Sequence, residues 1–164
     1  VRVKEGKGVA ATGAPRLILS GTPMALPNWK VPHVIETSGA VIVAEEMCTG
    51  LRYFENLVPE EGETVEQMVE AIANRYLDIN CACFTPNDGR MERIVSLAGE
   101  RKADGVINCT LAFCDPYLVE ANRVAKTLKE HNIPLLNLET DYGQEDTAQI
   151  KTRVEAFLEM LGNR

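Results

Sequence analysis

The chain has 164 residues, 45% hydrophobic and 25% charged, with 12 glycines and 8 prolines, which is the balance of one globular domain rather than of a disordered or fibrous chain. No apolar run approaches the roughly 20 residues that cross a bilayer. Residues 1–8 lead into no apolar stretch with a small-residue cleavage site, so a cytoplasmic protein without membrane contact is expected. The net charge of −7 argues against a nucleic-acid surface, which needs dense Lys and Arg against phosphate, although residues 1–30 carry +4 and the rest −11.

In chain order, residues 1–15 show neither a helical nor a strand period and read as a linker or flexible lead-in, with an α/β domain expected over residues 16–164. Leu17, Ile18 and Leu19 form a short apolar run closed by Ser20-Gly21-Thr22-Pro23, the pattern of a buried strand. Asn28 is placed to cap a helix with Trp29, Val34 and Ile35 on one side and Gly39 as its stop; Pro32 then lies in the first turn. Ala40-Val41-Ile42-Val43-Ala44 is the second strand, ending at Glu45 and Glu46, and residues 49–63 are the longest irregular stretch. Thr64 with Gln67 makes a capping box for a helix carrying Val65, Met68, Val69, Ile72, Tyr76 and Leu77.

Residues 81–89 are too rich in turn formers for a strand. A helix from about Arg90 carries Met91, Ile94, Val95 and Ala98, and residues 105–110 follow as the third strand. Asp115 before Pro116 predicts a capping carboxylate and a proline at the first helical position, with Leu118, Ala121, Ala125 and Leu128 at helical spacing and Asn132 as stop. Residues 134–138 give a fourth strand. Asp146 with Gln149 opens a last helix whose core face is Ile150, Val154, Phe157, Leu158 and Leu161. This alternation predicts an open, mainly parallel four-stranded sheet with helices on both faces, flavodoxin- or Rossmann-like.

In such a sheet the functional crevice lies beyond the carboxyl ends of the strands. Gly21-Thr22-Pro23, Glu45-Glu46-Met47-Cys48 and Phe113-Cys114-Asp115 all fall there. The five cysteines, Cys48, Cys81, Cys83, Cys109 and Cys114, are odd in number and irregular in spacing, which suggests metal or redox chemistry rather than a disulfide framework. Cys114 immediately precedes a helix start, where the partial positive charge favours thiolate. Cys109, inside a strand, reads as packing. Cys81 and Cys83 are one residue apart, not the two of the common redox and zinc pairs, and no second pair completes a tetrahedral site. His33 and His131 read as structural, and Glu45 and Glu46 as a solvated strand end or as acid–base groups. Gly21-Thr22-Pro23-Met24 matches no glycine-rich phosphate loop.

Several segments resemble, in order and spacing, the D-component family of 2-hydroxyacyl-CoA dehydratases and benzoyl-CoA reductases: Gly21-Thr22-Pro23 with Trp29-Lys30, Glu45-Glu46-Met47-Cys48-Thr49-Gly50-Leu51-Arg52-Tyr53, Lys102-Ala103-Asp104-Gly105-Val106-Ile107, Cys114-Asp115-Pro116, Ile133-Pro134-Leu135-Leu136 with Leu138-Glu139-Thr140-Asp141-Tyr142, and Thr152-Arg153-Val154-Glu155-Ala156-Phe157-Leu158-Glu159. The resemblance implies the C-terminal half of a two-domain protein. A [4Fe-4S] cluster would lie between the domains, with Cys114 as the ligand from this half and the others from an N-terminal domain. It further implies an ATP-dependent iron–sulfur activator that delivers an electron, an acyl-CoA thioester as substrate, radical loss of hydroxide or ring reduction, and a homologous subunit in a dimer. Activity is not expected of these residues alone.

Cys48, Cys81 and Cys83 exceed the single cysteine of the dehydratase pattern. They fit a related branch, the double-cubane proteins with an [8Fe-9S] cluster that reduce small molecules. Cys114, Cys48 and Cys83 are thus the candidate metal ligands, with Cys81 among the cofactor-binding thiols, and Glu45, Glu46 and Arg52 are candidate catalytic or tuning groups at the same edge. A flavodoxin-like module that keeps only the scaffold is the remaining alternative.

Overall fold

A computed structural model describes residues 4–162; Val1–Val3, at the start of the expected lead-in, and Asn163 and Arg164, at the end of the expected domain, lie outside the described residues. The elements are β1 (Arg16–Gly21), α1 (Lys30–Thr37), β2 (Val41–Glu46), α2 (Leu51–Phe54), α3 (Val65–Leu77), α4 (Asp88–Arg101), β3 (Gly105–Leu111), α5 (Asp115–Glu130), β4 (Leu135–Thr140) and α6 (Thr147–Gly162). Residues 4–15 form turns with no helix or strand. The four strands make one parallel sheet in the order β2-β1-β3-β4, the α/β architecture expected from the alternation. No described helix is long and apolar enough to cross a membrane.

Strand residues alternate between two cores. Leu17, Leu19, Ile107, Cys109 and Leu138 pack with Val31 and Ile35 of α1 and Ile150, Val154 and Phe157 of α6 on one face. Ile18, Ala44 and Val106 pack with Met91, Ile94 and Leu97 of α4 and Val124 and Leu128 of α5 on the other. The α1–α6 face is also locked by one cation. Lys30 Nζ, with its side chain wholly buried, donates to Asp141 O at 3.0 Å, Gly143 O at 2.6 Å and Asp146 Oδ1 at 2.6 Å. Burial works against the Asp146 charge, but Lys30 and a 2.6 Å hydrogen bond from the Thr140 hydroxyl outweigh it and hold that carboxyl below its ordinary value.

Several expectations shift by a residue or two. Trp29, not Asn28, occupies the N-cap of α1; Asn28 Oδ1 still accepts from the Lys30 N–H at 3.3 Å, and the Trp29 ring is 58% exposed rather than on the core face. Cys114, not Asp115, is the N-cap of α5, so Pro116 is the second helical residue and the buried stripe becomes Tyr117, Glu120, Val124 and Leu128. The stretch over residues 49–63 contains one helical turn, α2.

The capping box of Thr64 and Gln67 forms as expected. The apolar side of α3 does not enter a core: Val65, Met68, Val69, Ile72, Tyr76 and Leu77 are all exposed. The helix attaches to its own chain instead by its polar side, where Arg75 Nη2 donates to Tyr53 O at 2.8 Å.

Candidate functional site

The chain runs from β1 outward to β2 and then crosses back to β3. The helices that follow β1 and β3 therefore lie on opposite faces, and a crevice opens between the carboxyl ends of those two strands. Gly21 ends β1 there with φ +117°, and a Cβ on it would stand 2.0 Å from Cys109 O. Only glycine permits this approach, which brings the Thr22 N–H onto Cys109 O at 2.9 Å.

Under the α4–α5 side of this edge lies a buried polar network. β2 does not stop before its glutamates: Glu45 and Glu46 pair in register with Leu19 and Ser20, and Glu46 is 1% exposed. The solvated strand end considered for Glu46 is thereby corrected, because two arginines supply the counter-charge that burial requires. Glu46 Oε2 accepts from Ser20 Oγ at 2.7 Å and from Arg90 Nε at 3.2 Å, with Arg90 Nη2 at 3.1 Å. Glu46 Oε1 is ion-paired at 2.8 Å with Arg52 Nε, though the N–H is not aimed at it. Arg90 also pairs through Nη1 with Glu120, whose other oxygen accepts from Asn87 Nδ2 at 2.7 Å, and the guanidinium lies 5.0 Å from the centroid of the Tyr117 ring.

Arg52 links this network to the thiols. Its Nη2 donates to Glu46 O at 2.9 Å, and its Nη1 donates to Asn80 O at 2.7 Å and Tyr117 Oη at 3.0 Å and lies 3.7 Å from Cys48 Sγ. Cys48 Sγ is 3.9 Å from Tyr117 Oη. Burial, with a smaller push from Cys48, holds the Tyr117 hydroxyl well above its ordinary value against the opposing pull of Arg52 and Arg90, so it acts as a neutral hydrogen-bonding group.

Cys48, Cys81, Cys83 and Cys114 come to one edge, where Cys83 lies within electrostatic reach of the other three. Burial pushes the Cys81 thiol up, but hydrogen bonds with the Cys83 backbone and side chain and with Tyr117, together with the Arg52 charge, outweigh it and hold Cys81 below the usual thiol value. Cys83, the more exposed of the two, is raised by its pairing with Cys81. Cys109 lies apart in β3, where burial pushes it up to about 12. This matches its role as packing. The cysteine side chains at the edge fit iron or another thiophilic metal by donor chemistry. Among the described residues, however, no three His, Cys, Asp or Glu groups stand close enough to hold a metal ion by themselves.

Of the residues singled out from the sequence, Arg52, Glu46 and Cys48 meet in one contact network, and Cys81 lies next to it through Asn80, whose carbonyl Arg52 holds. Glu45 lines the opposite side of β2. Sequence reasoning missed Ser20, Asn87, Arg90, Tyr117 and Glu120. A signal for two of them exists: Arg90 falls on the stripe of Met91, Ile94 and Leu97, and Glu120 on that of Tyr117, Val124 and Leu128, so opposite charges occupy two apolar helix faces.

The model of the family described as 2-hydroxyglutaryl-CoA dehydratase, D-component, matches residues 1–161. The protein YjiM of Escherichia coli (strain K12), named provisionally as a dehydratase subunit, is 36% identical over 162 residues, 98% of this chain and 41% of its own length. The beta subunit of (R)-phenyllactyl-CoA dehydratase from Clostridium sporogenes is 31% identical over 157 residues, 96% of this chain and 38% of its own. The beta subunit of (R)-2-hydroxyglutaryl-CoA dehydratase from Acidaminococcus fermentans is 36% identical over 151 residues, 89% of this chain and 38% of its own. The chain thus spans about two-fifths of the length of these relatives.

Proposed function

Because the chain belongs to the 2-hydroxyglutaryl-CoA dehydratase, D-component family, we propose that it forms part of the iron–sulfur component of a 2-hydroxyacyl-CoA dehydratase or benzoyl-CoA reductase-type enzyme. The observation that carries this reading is that Cys48, beside Arg52 and Tyr117, Cys81, next to the Asn80 whose carbonyl Arg52 holds, and Cys114, at the N-cap of α5 three residues before Tyr117, are tied to one polar network at the strand ends. Cys114, at the N-cap of α5, is the ligand we assign first. Among the described residues no three protein groups close a metal site, so in this reading further ligands come from the rest of the protein and from inorganic sulfide. A bound cluster supplies one-electron chemistry at low potential.

The chain's own residues orient and tune. Arg52 fixes Cys48 and, with Tyr117, sets the polar surroundings of the thiols. An ATP-dependent iron–sulfur activator supplies the electron, an acyl-CoA thioester is the substrate, and a homologous subunit together with the rest of the same protein completes the site.

The surplus thiols favour one second reading, an [8Fe-9S] double-cubane reductase of small molecules, in which Cys48 and Cys83 also ligate iron. Iron and acid-labile sulfide counts on the anaerobically purified full-length protein, with electron paramagnetic resonance, separate the two. About four irons per subunit are expected for the dehydratase and about eight for the double cubane, and Cys114→Ala abolishes the signal in either case. A colourless, iron-free protein after anaerobic reconstitution refutes both.

A further inference from the structure

The helix α3 has no buried residue, although six of its 13 residues are large and apolar. A lone helix of this length is marginal in water, and helices in proteins draw most of their stability from packing an apolar face. Thr64 and Gln67 cap its start and Arg75 fastens its polar side to Tyr53 O, but none of these covers the stripe. The stripe has the spacing of a seam between two helices. Val65, Val69, Ile72 and Tyr76 follow one another at intervals of four, three and four residues, with Met68 beside them. The six side chains, 47% to 72% exposed, leave about 700 Å2 open, more than the roughly 300–600 Å2 of the largest apolar patch on a typical monomer.

Charge and area select the occupant. No charged residue interrupts the seam, and residues 60–70 hold five glutamates and no Lys or Arg. A helix that lies on a membrane carries Lys and Arg on its polar side against anionic headgroups, so a lipid surface is not what this stripe fits. Its complement is a helix with an equally uncharged stripe, and a second copy of α3 presents one. Two such stripes face to face bury at most about 1,400 Å2, within the roughly 1,200–2,000 Å2 of specific interfaces.

We propose that the α3 stripe is an interface between two copies of this chain, the helices packing antiparallel about a twofold axis between residues 70 and 71. That axis sets Val69 of one copy against Ile72 of the other and Val65 against Tyr76, so every seam residue meets an apolar one and the contact closes on itself. Antiparallel alignment also opposes the two helix dipoles. An area of this size corresponds to a reversible pair with a dissociation constant of the order of 10 µM. The inference is independent of the iron–sulfur reading, since no thiol takes part.

Sedimentation equilibrium of the anaerobically purified full-length protein, from about 0.5 to 200 µM, reads this association. Ile72→Glu and Val69→Lys should each weaken it at least ten-fold. The double variant sets opposite charges across the axis and should regain at least three-fold over either single change. Neither side chain makes a core contact within its own chain, so each variant should keep the circular dichroism spectrum of the folded protein, and the second carries the test should the first fail to fold. With p-benzoylphenylalanine in place of Tyr76, a mixture of unlabelled and nitrogen-15-labelled protein should cross-link position 76 of one isotope to the segment around Val65 of the other. Protein that stays monomeric throughout, an association unmoved by both single variants, or cross-links confined to one isotope overturns the proposal; the last outcome assigns the stripe to the rest of the same protein.

Discussion

Arg90→Met tests whether the buried ions beneath the thiols are paired as described. Arg90 has no exposed surface, and its guanidinium is shared among Glu120, Glu46 and Ser20, the last at 2.9 Å. Methionine keeps much of the apolar stem but strands one carboxylate. Glu46 retains Arg52 at 2.8 Å, whereas Glu120 keeps only the neutral Asn87 amide at 2.7 Å. Breaking a buried pair from one side costs about 3–5 kcal/mol. Each kcal/mol lowers the Tm of a domain this size by about 2–4 °C, so a fall of about 10 °C is expected, with the free energy measured by urea unfolding followed by circular dichroism. Arg90→Met with Glu120→Leu removes both charges and should recover more than half of the loss. A single-variant loss below about 1 kcal/mol, or a double variant no more stable than the single one, refutes the pairing.

Asp146, held below its ordinary carboxyl value by Lys30 and Thr140 against the cost of burial, contributes stability that is complete above the unfolded value of about 3.9 and is lost as pH falls through the lower folded one. Asp146→Asn should therefore lower the urea midpoint at neutral pH and flatten the acid side of the stability profile; an unchanged acid limb contradicts this. Alkylation by iodoacetamide, mapped by mass spectrometry from about pH 6 to 9 on the metal-free chain, should modify Cys81 at lower pH than Cys83 although Cys83 is more exposed, and should leave Cys109, raised to about 12, untouched in the native state. The reverse order, or native-state labelling of Cys109, counts against the placement of these thiols. Ile72→Glu on the exposed stripe of α3 should change stability by less than about 0.5 kcal/mol, and a larger loss by thermal melting means the stripe packs against its own chain.

The strands were legible because Leu17, Ile18 and Leu19, or Val106, Ile107 and Asn108, sit in short β-rich runs bounded by turn formers, a local signal. The helix of residues 65–77 was legible in extent for the same reason, since Thr64 and Gln67 cap it from within. Its orientation was not. Val65, Met68, Val69, Ile72 and Tyr76 make a stripe that periodicity assigns to a core, yet that side faces outward and Arg75 fastens the other side to the Tyr53 carbonyl. Periodicity reports which residues share a helix face and carries nothing about where the helix docks. Glu46 failed for a related reason. A glutamate at a strand end is usually solvated, and its burial depends on Arg52, six residues on, and on Arg90, 44 residues on; no local pattern carries that second pairing.

The network has a geometric consequence for the thiols above it. Ser20 lies on β1, Glu46 on β2, Arg52 on α2, Arg90 on α4, and Tyr117 and Glu120 on α5, so one set of ion pairs and hydrogen bonds ties five elements that approach the crevice. Cys48 follows β2, Cys114 precedes α5, and Cys81 follows Asn80, whose carbonyl accepts from Arg52. Loops carry the thiols, and loops are ordinarily the mobile part of an α/β sheet edge. Cys48 follows the buried Glu46 by two residues, and Arg52 donates to the carbonyl of Asn80, next to Cys81, and to Tyr117, three residues after Cys114, which limits that freedom. Apolar residues would fill the same volume and would often be at least as stable as buried ions, but they would leave the loops free to slide over one another. Directional charge pairs fix relative position as well as distance, which is what the metal site proposed above would ask of three separate loops.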